Sequence, residues 1–332
     1  MAGPRPGEDE LIARHFVPIA GEGALGLKDD AALLRPQPGH DLVVTADAIV
    51  AGVHFFPDDP PGSVALKVLG VNVSDLAAKG AAPSGFVMTL TLPQDWTEAW
   101  LAKFCRGLGE ASRTFACPLL GGDTVRGPAL AISVTAFGEV PEGRMVRRTT
   151  AKPGDRICVS GTIGDAALGL ALRGEAPSWA AVLSAEDQEF LVDRYLRPQP
   201  RIALARALLG HASAAMDVSD GLAGDLAKMM RASGATAAVE ADRVPISAAA
   251  RAALAADPSL FERLVTGGDD YEVLAAVPPG SLDRYLAASA EAGVATTVIG
   301  TVTAGQGLPV FRAGGAERRY ERGSYSHFRD ER

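Results

Sequence analysis

Residues 141–154, PEGRMVRRTTAKPG, crowd charge, proline and glycine into one short stretch. Such a stretch neither fills a core nor continues a helix or strand, so it interrupts the fold. A domain boundary is expected there, with residues 1–145 on one side and 146–332 on the other. Each side mixes helical and strand periodicity. Before the break, Leu101, Phe104, Leu108, Ala111 and Phe115 recur three and four apart, which predicts an amphipathic helix over 95–115 with a capping box from Asp95 to Glu98. PLLGGDTVRG then reads as a glycine turn, and Leu130, Ile132, Val134 and Ala136 alternate as in a strand. After the break, RICVSG is a short apolar run, TIGDAALGLAL reads as a helix, TAAVEADRVPI as strand and turn, and SAAARAALAA as a helix. The fold class predicted is α/β or α+β in two domains.

The chain has 332 residues, enough for two ordinary cores, and 47% of them are hydrophobic. Its formal net charge of −8, with no basic cluster, excludes nucleic acid as the main partner. An anionic substrate would therefore need help from cations. Cys105, Cys117 and Cys158 are odd in number and lack C-x-x-C spacing, so neither a disulfide framework nor a zinc site is expected. A reducing cytoplasm suits them. The N-terminal MAGPRPGEDELIARHF lacks the basic and apolar regions of a signal peptide, and no apolar run reaches the ~18 residues of a membrane span.

Aspartates recur beside glycines and small residues: Asp29 and Asp30 in GLKDDAALL, Asp47 in VVTADAIVAGVHF, Asp75 in NVSDLAAKG, Asp123 in GGDTVRG, Asp217, Asp220 and Asp225 in MDVSDGLAGDL, Asp269 and Asp270 in TGGDDYEVL. Any one of them suits a helix cap or a turn. Several are flanked by apolar residues that predict burial, where an unpaired carboxylate is costly. Bound cations would remove that cost, and magnesium matches best, since it takes a few carboxylates together with water and phosphate oxygens. An EF-hand starting at Asp217 is excluded, because its sixth position is Leu222 where glycine is required.

In GGDTVRG, Gly121 and Gly122 allow backbone to approach a ligand while Asp123 holds a metal beside it; a tight turn is the plainer reading. No G-x-x-x-x-G-K-[ST] occurs, so P-loop kinases are excluded. Arg147 and Arg148 suit either a bound triphosphate or a solvated linker, and His54, ahead of Phe55 and Phe56, suits either a ligand contact or a half-buried position. V-S-D precedes small residues twice, at 73–75 and 218–220, as a weak internal echo of two helix starts.

Taken in order, DDAALL, TADAIVAGVHF, NVSDLAAKGAAPSGFVMTLTLP, LLGGDTVRG, RRTTAKPGDRICVSGTIGDAALGL, MDVSDGLAGDL, GGDDYEVL and SYSHF resemble the thiamine-monophosphate kinase family. That family lies in the superfamily of aminoimidazole ribonucleotide synthetase, selenophosphate synthetase and a hydrogenase maturation protein. The resemblance spans residues 8–328, and the absence of any cysteine after Cys158 or early in the chain sets it apart from the last two.

The resemblance implies a two-domain fold whose N-terminal strands join a partner's in a homodimeric β-barrel, a C-terminal α/β domain, and ATP across an acidic cleft. It implies several magnesium ions held by Asp30, Thr45, Ala46 through its backbone, Asp47, Asp75, Asp123, Asp217 and Asp220. Gly122, Asp123, Arg148 and Ser219 would contact ATP, and His54, Asp269 and Tyr325 would face thiamine monophosphate. Asp75, Asp217 and Arg148 would carry catalysis, with Gly221 letting the backbone turn near the phosphates and Asp225 purely structural. Four residues depart from the family pattern: Lys28 for glycine, Ala46 for a hydroxyl residue, Cys105 for an aromatic residue near the adenine, and Asp269 for glutamate. The rival readings are another ATP-dependent enzyme of the superfamily and a nucleotide-binding homologue without turnover.

Overall fold

The computed structural model of the chain describes residues 7–174 and 177–324. The chain divides into two compact units, one made of Ala81–Arg144 with the chain before Ala77, the other of Met145 onwards with Ala77–Gly80.

In the first unit, α1 (Glu8–Leu11) leads through short tight turns to Leu27. The backbone of this entry segment is tied to the unit's sheet, since Gly21 N–H donates to the Leu119 carbonyl at 2.7 Å. Then follow β1 (His40–Val50), α2 (Pro61–Ala78), β2 (Ala82–Leu92), α3 (Glu98–Thr114), β3 (Leu119–Arg126) and β4 (Ala131–Pro141). The four strands form an open sheet in the order β1-β4-β2-β3, with β4 antiparallel to β1 and β2 and β3 parallel to β2. The alternation that predicted β4 is borne out, as Ile132, Val134 and Ala136 are all buried. On β1 the same alternation leaves Leu42, Val44, Ala46 and Ala48 exposed on one face and turns Val43, Thr45, Asp47 and Ile49 to the other.

The predicted amphipathic helix is α3, and Leu101, Phe104, Leu108, Ala111 and Phe115 are all buried. Its cap differs from the expectation: Thr97, two residues after Asp95, is the N-cap, and its hydroxyl accepts from Trp100 N–H at 3.1 Å. GGDTVRG also differs. It is no turn; Gly121, Gly122 and Asp123 lie inside β3 beside Val87, Met88 and Thr89. Glycine is needed at 122 because a Cβ there would fall 1.8 Å from the Met88 carbonyl oxygen.

The second unit runs β5 (Arg156–Ser160), α4 (Asp165–Arg173), α5 (Ala185–Leu196), α6 (Ala205–His211), β6 (Ala214–Val218), α7 (Leu222–Ala232), β7 (Thr236–Glu240), α8 (Ala248–Ala256), α9 (Leu260–Thr266), β8 (Glu272–Val277), α10 (Leu282–Glu291), β9 (Thr296–Thr303), β10 (Val310–Ala313) and β11 (Ala316–Arg318). Its seven strands order as β11-β10-β7-β9-β5-β8-β6. Both faces are covered at β5 and β8, and so these strands carry the continuous apolar runs 157–159 and 273–277. On β5 and β8, Ile157, Val159, Leu274 and Ala276 pack with Leu222, Leu226 and Met229 of α7. Their neighbours Cys158, Val273, Ala275 and Val277 pack instead with Leu208 of α6 and Tyr285 of α10. A third cluster joins α4, α5, α8 and α9 through Leu168, Leu191, Ala250 and Leu264.

The V-S-D echo has no structural counterpart. At 73–75 it lies near the end of α2, whereas at 218–220 it closes β6 and enters the turn before α7. No helix among the described residues is long and apolar enough to cross a membrane.

Cys105, Cys117 and Cys158 are unpaired and buried, and burial pushes each thiol up to about 12. A thiol-specific chromogenic reagent at pH 8 is accordingly expected to modify none of these thiols in the native protein and all three after denaturation.

Candidate active site

In the first unit, β3 forms one wall of a cavity of about 470 Å³. Gly121, Gly122, Asp123 and Thr124 line it together with Asp29 and Asp30, and Ile12, Phe16, Ala24, Leu27, Leu119 and Leu120 supply an apolar part. Two of these acids are braced by the next residue's amide: Asp29 Oδ1 accepts Asp30 N–H, and Asp123 Oδ1 accepts Thr124 N–H, each at 2.8 Å. A cavity with an apolar side and a side of backbone amides and carboxylates suits a flat base joined to a chain of phosphates. The structure thus brings Asp30, Gly122 and Asp123 together. Lys28 is exposed at the end of the tight turn preceding Asp29. Cys105 lies buried within α3, so its thiol belongs to the core.

A second group forms where β1 meets α2. Thr45 Oγ1 donates to Asp75 Oδ2 at 2.5 Å, and Asp47 N–H donates to Asn72 Oδ1 at 2.9 Å. Asn72 is itself buried and anchored by the Val68 carbonyl, so the polar end of α2 is fixed against the strand. Ala46 points to the opposite, exposed face of β1, leaving only its carbonyl as a donor atom. His54 is half-buried in the turn after β1, where its Nδ1 accepts Val50 N–H at 3.1 Å. That contact places the ring proton on Nε2.

In the second unit, Asp217 is buried at the end of β6, and Ser219 and Asp220 occupy the turn that follows. Gly221 must be glycine, for its φ is 119° and a Cβ would approach the Thr266 carbonyl group to 2.6 Å. The turn is stitched to the loop before β8: Asp269 N–H donates to the Ser219 carbonyl at 2.8 Å and Tyr271 N–H to that of Val218 at 2.9 Å. Asp217 at the strand end, Ser219 and Asp220 in the turn, and Asp269 on the adjoining loop are thereby gathered. Arg147 and Arg148 have exposed side chains on a fixed backbone, whose carbonyls accept from Ala215 N–H and Ser233 Oγ. Tyr325 lies outside the described residues.

Asp225 keeps its structural role. It is fully buried, accepts Asp220 N–H at 2.9 Å, and takes Lys228 Nζ at 2.8 Å. Lys228 also reaches Asp220 at 2.5 Å. Burial would lower the Lys228 ammonium, but the two carboxylates outweigh it and hold it above its usual value. Sequence reading missed Lys228, although its i,i+3 spacing from Asp225 on one helix was a usable signal. The apolar wall from Ile12 and Phe16 was also missed, and no motif marks it.

Among the described residues no three His, Cys, Asp or Glu side chains gather into a metal cluster of their own. The oxygen donors are nevertheless of the kind magnesium takes, which needs only one or two carboxylates when water and phosphate oxygens complete its shell. Thr45 and Asp75, in direct contact, fit that pattern.

Residues 28–140 match the N-terminal domain of AIR synthase related protein, and residues 152–312 match its C-terminal domain. A thiamine-monophosphate kinase of Caulobacter vibrioides is 43% identical over 93% of this chain and 88% of its own length. The crystal structure of thiamine-monophosphate kinase from Stenotrophomonas maltophilia superposes with a TM-score of 0.80 at 39% identity, covering 92% of this chain and 95% of that one. AaThiL complexed with AMPPCP and TMP superposes with a TM-score of 0.76 at 29% identity, over 90% and 91% of the two chains. Sequence and fold together place the chain in the AIR synthase related family and, within it, among the thiamine-monophosphate kinases.

Proposed function

We propose that the chain transfers the γ-phosphoryl group of ATP to the phosphate of thiamine monophosphate, giving thiamine diphosphate and ADP. The observation that carries this reading is the cavity that joins an apolar wall to Asp30, Gly122 and Asp123, in a chain related to a kinase solved with AMPPCP and TMP. The acceptor needs no activation: a phosphate monoester, with a second pKa of about 6, is already an oxyanion at neutral pH. No enzyme nucleophile or general base is required. What the reaction needs is relief of repulsion between two polyanions and an in-line arrangement of attacking and leaving oxygens.

Gly122 brings the β3 backbone to the nucleotide phosphates, Arg148 and Ser219 hold the triphosphate, and the apolar wall seats the base. His54 offers its Nε2–H, and Asp269 its carboxylate, to thiamine monophosphate; Tyr325 is the third residue assigned to that side. Magnesium, when bound, supplies charge screening and a template for the phosphate oxygens. Several such ions would be held, by Asp30, Thr45, the Ala46 carbonyl, Asp47, Asp75 and Asp123 in the first unit and by Asp217 and Asp220 in the second. Asp75, Asp217 and Arg148 contribute most to the rate in this scheme, the two aspartates as anchors for the cations and Arg148 by placing its own positive charge against the triphosphate.

The working form is a homodimer in which a partner's strands complete the N-terminal sheet as a barrel. The open edges of that sheet, β1 and β3, and the exposed Leu42, Val44 and Val125 support this. Buried, unpaired thiols are in keeping with a reducing cytoplasm.

Incubation with magnesium, ATP and thiamine monophosphate, followed by chromatography, is expected to show thiamine diphosphate; no product from a folded protein would refute the reading. Asp217→Asn, which changes charge and adds no bulk, is expected to lower the rate by at least about a hundredfold while the melting transition stays cooperative. Wild-type activity in that variant would return Asp217 to a structural role. Under single-turnover conditions with labelled ATP, no label is expected on the protein, since transfer is direct; a trapped phosphoprotein contradicts it.

A further inference from the structure

Next to Asp269 stand two acids that the scheme above leaves unused, Asp270 and Glu272, 1% and 0% exposed. Glu272 is gripped on both oxygens. Arg194 Nη2 donates to Oε1 at 2.9 Å, Arg201 Nε to Oε2 at 2.7 Å with its Nη2 also on Oε1, and Ser160 Oγ to Oε2 at 2.6 Å. Ser160 Oγ in turn accepts Val273 N–H at 2.8 Å, which locks the start of β8. Asp270 Oδ2 accepts the N–H of Gly164, ahead of α4, at 2.8 Å, and the Asp270 carbonyl takes Arg194 Nη2 at 3.4 Å. Asp270 Oδ1 finds no hydrogen-bond partner among the described residues.

The backbone around these anchors is unusual. Asp269 and Tyr271, on either side of Asp270, have φ of 73° and 50°, two of the five non-glycine residues with positive φ among the described residues. Residues with a Cβ hold that conformation only where their surroundings enforce it. Here the enforcement comes from the buried side: Asp270 is tied inward by side chain and carbonyl, and Glu272 by two guanidinium groups. Asp269, half-buried, is stitched to the Ser219 carbonyl through its N–H, and its Oδ1 accepts the Tyr271 hydroxyl at 3.3 Å.

We propose that Asp270 and Glu272 are positioning residues, buried anchors that hold the loop so that Asp269 meets thiamine monophosphate. This rests on the reading of Asp269 as a substrate-side residue. Three buried acids, Asp165, Asp270 and Glu272, share this region with two guanidinium groups, of Arg194 and Arg201. A proton retained on one acid balances the charge. Burial pushes the Asp270 carboxyl well above its ordinary range, against the Gly164 N–H, and the neighbouring Asp165 and Glu272 raise it further than Arg194 lowers it. An acid anchored as a neutral acceptor can be replaced by its amide.

Steady-state kinetics with each substrate varied separately test the inference. Asp270→Ala is expected to raise KM for thiamine monophosphate at least about tenfold and to leave KM for ATP within about threefold, while Asp270→Asn returns the first to within about threefold of wild type. Arg201→Lys keeps the charge but gives up the two-point grip on Glu272, and is expected to show the same split at about threefold. Should Asp270→Ala fail to fold, Arg201→Lys decides. Equal loss toward both substrates, or Asp270→Asn as impaired as Asp270→Ala, overturns the proposal. A wild-type protein inactive on thiamine monophosphate overturns the functional reading and this inference with it, whereas an active wild type with unsplit variants overturns this inference alone.

Discussion

At Gly122 the backbone of β3 runs so near that of β2 that a Cβ would lie 1.8 Å from the Met88 carbonyl oxygen, and at Gly221 the turn after β6 closes on Thr266 in the same way. Acidic groups follow directly on these contacts. Asp123 comes next after Gly122, and Asp220 stands immediately before Gly221. Because main chain packs on main chain, neither the strand at Gly122 nor the turn at Gly221 can shift to suit a different side chain, so the backbone that carries Asp123 and Asp220 is fixed. Within each unit the other candidate residues are fixed just as locally: Thr45 and Asp75 where β1 meets α2 in the first, and Asp217 at the end of β6 with Asp269 stitched to Ser219 in the second.

A chain of net charge −8 that handles two phosphate esters faces a repulsion that its fold alone does not relieve. Two groups of acids stand at opposite ends of the range of exposure. Asp225, Asp165 and Glu272 are buried, and each is satisfied by hydroxyl, amide, ammonium or guanidinium groups. Such pairing is the condition for burying a carboxylate, and it makes these residues part of the frame. Asp30, Asp47 and Asp123 are exposed, and two of them line the cavity in the first unit. The Asp123 carboxylate accepts the Thr124 N–H, a contact that orients it and leaves its charge in place. Mobile cations are the natural complement to the second group.

Much of this was legible in the chain itself. The spacing of Leu101, Phe104 and Leu108 is a local signal, and the helix and its buried face followed from it. The order of the acidic motifs carried the family. Two local readings failed for reasons that lie outside the local sequence. GGDTVRG has the composition of a turn, yet it is a strand because a parallel neighbour needs glycine at the point of closest approach. The repeated V-S-D suggested two similar helix starts, but surrounding burial makes one a helix end and the other a strand end. The grip on Glu272 was invisible for a different reason: its partners Arg194 and Arg201 are 78 and 71 residues away along the chain, and no periodicity spans such distances.

The central claim is that the candidate site's carboxylates work through magnesium, which makes an acidic surface attractive to a triphosphate. Calorimetric titration of the protein with ATP, in magnesium and then in a chelator, tests it most directly. The account predicts that removing magnesium weakens ATP binding by at least about a hundredfold, since the repulsion is then uncompensated. Equal affinity in the two conditions would contradict it.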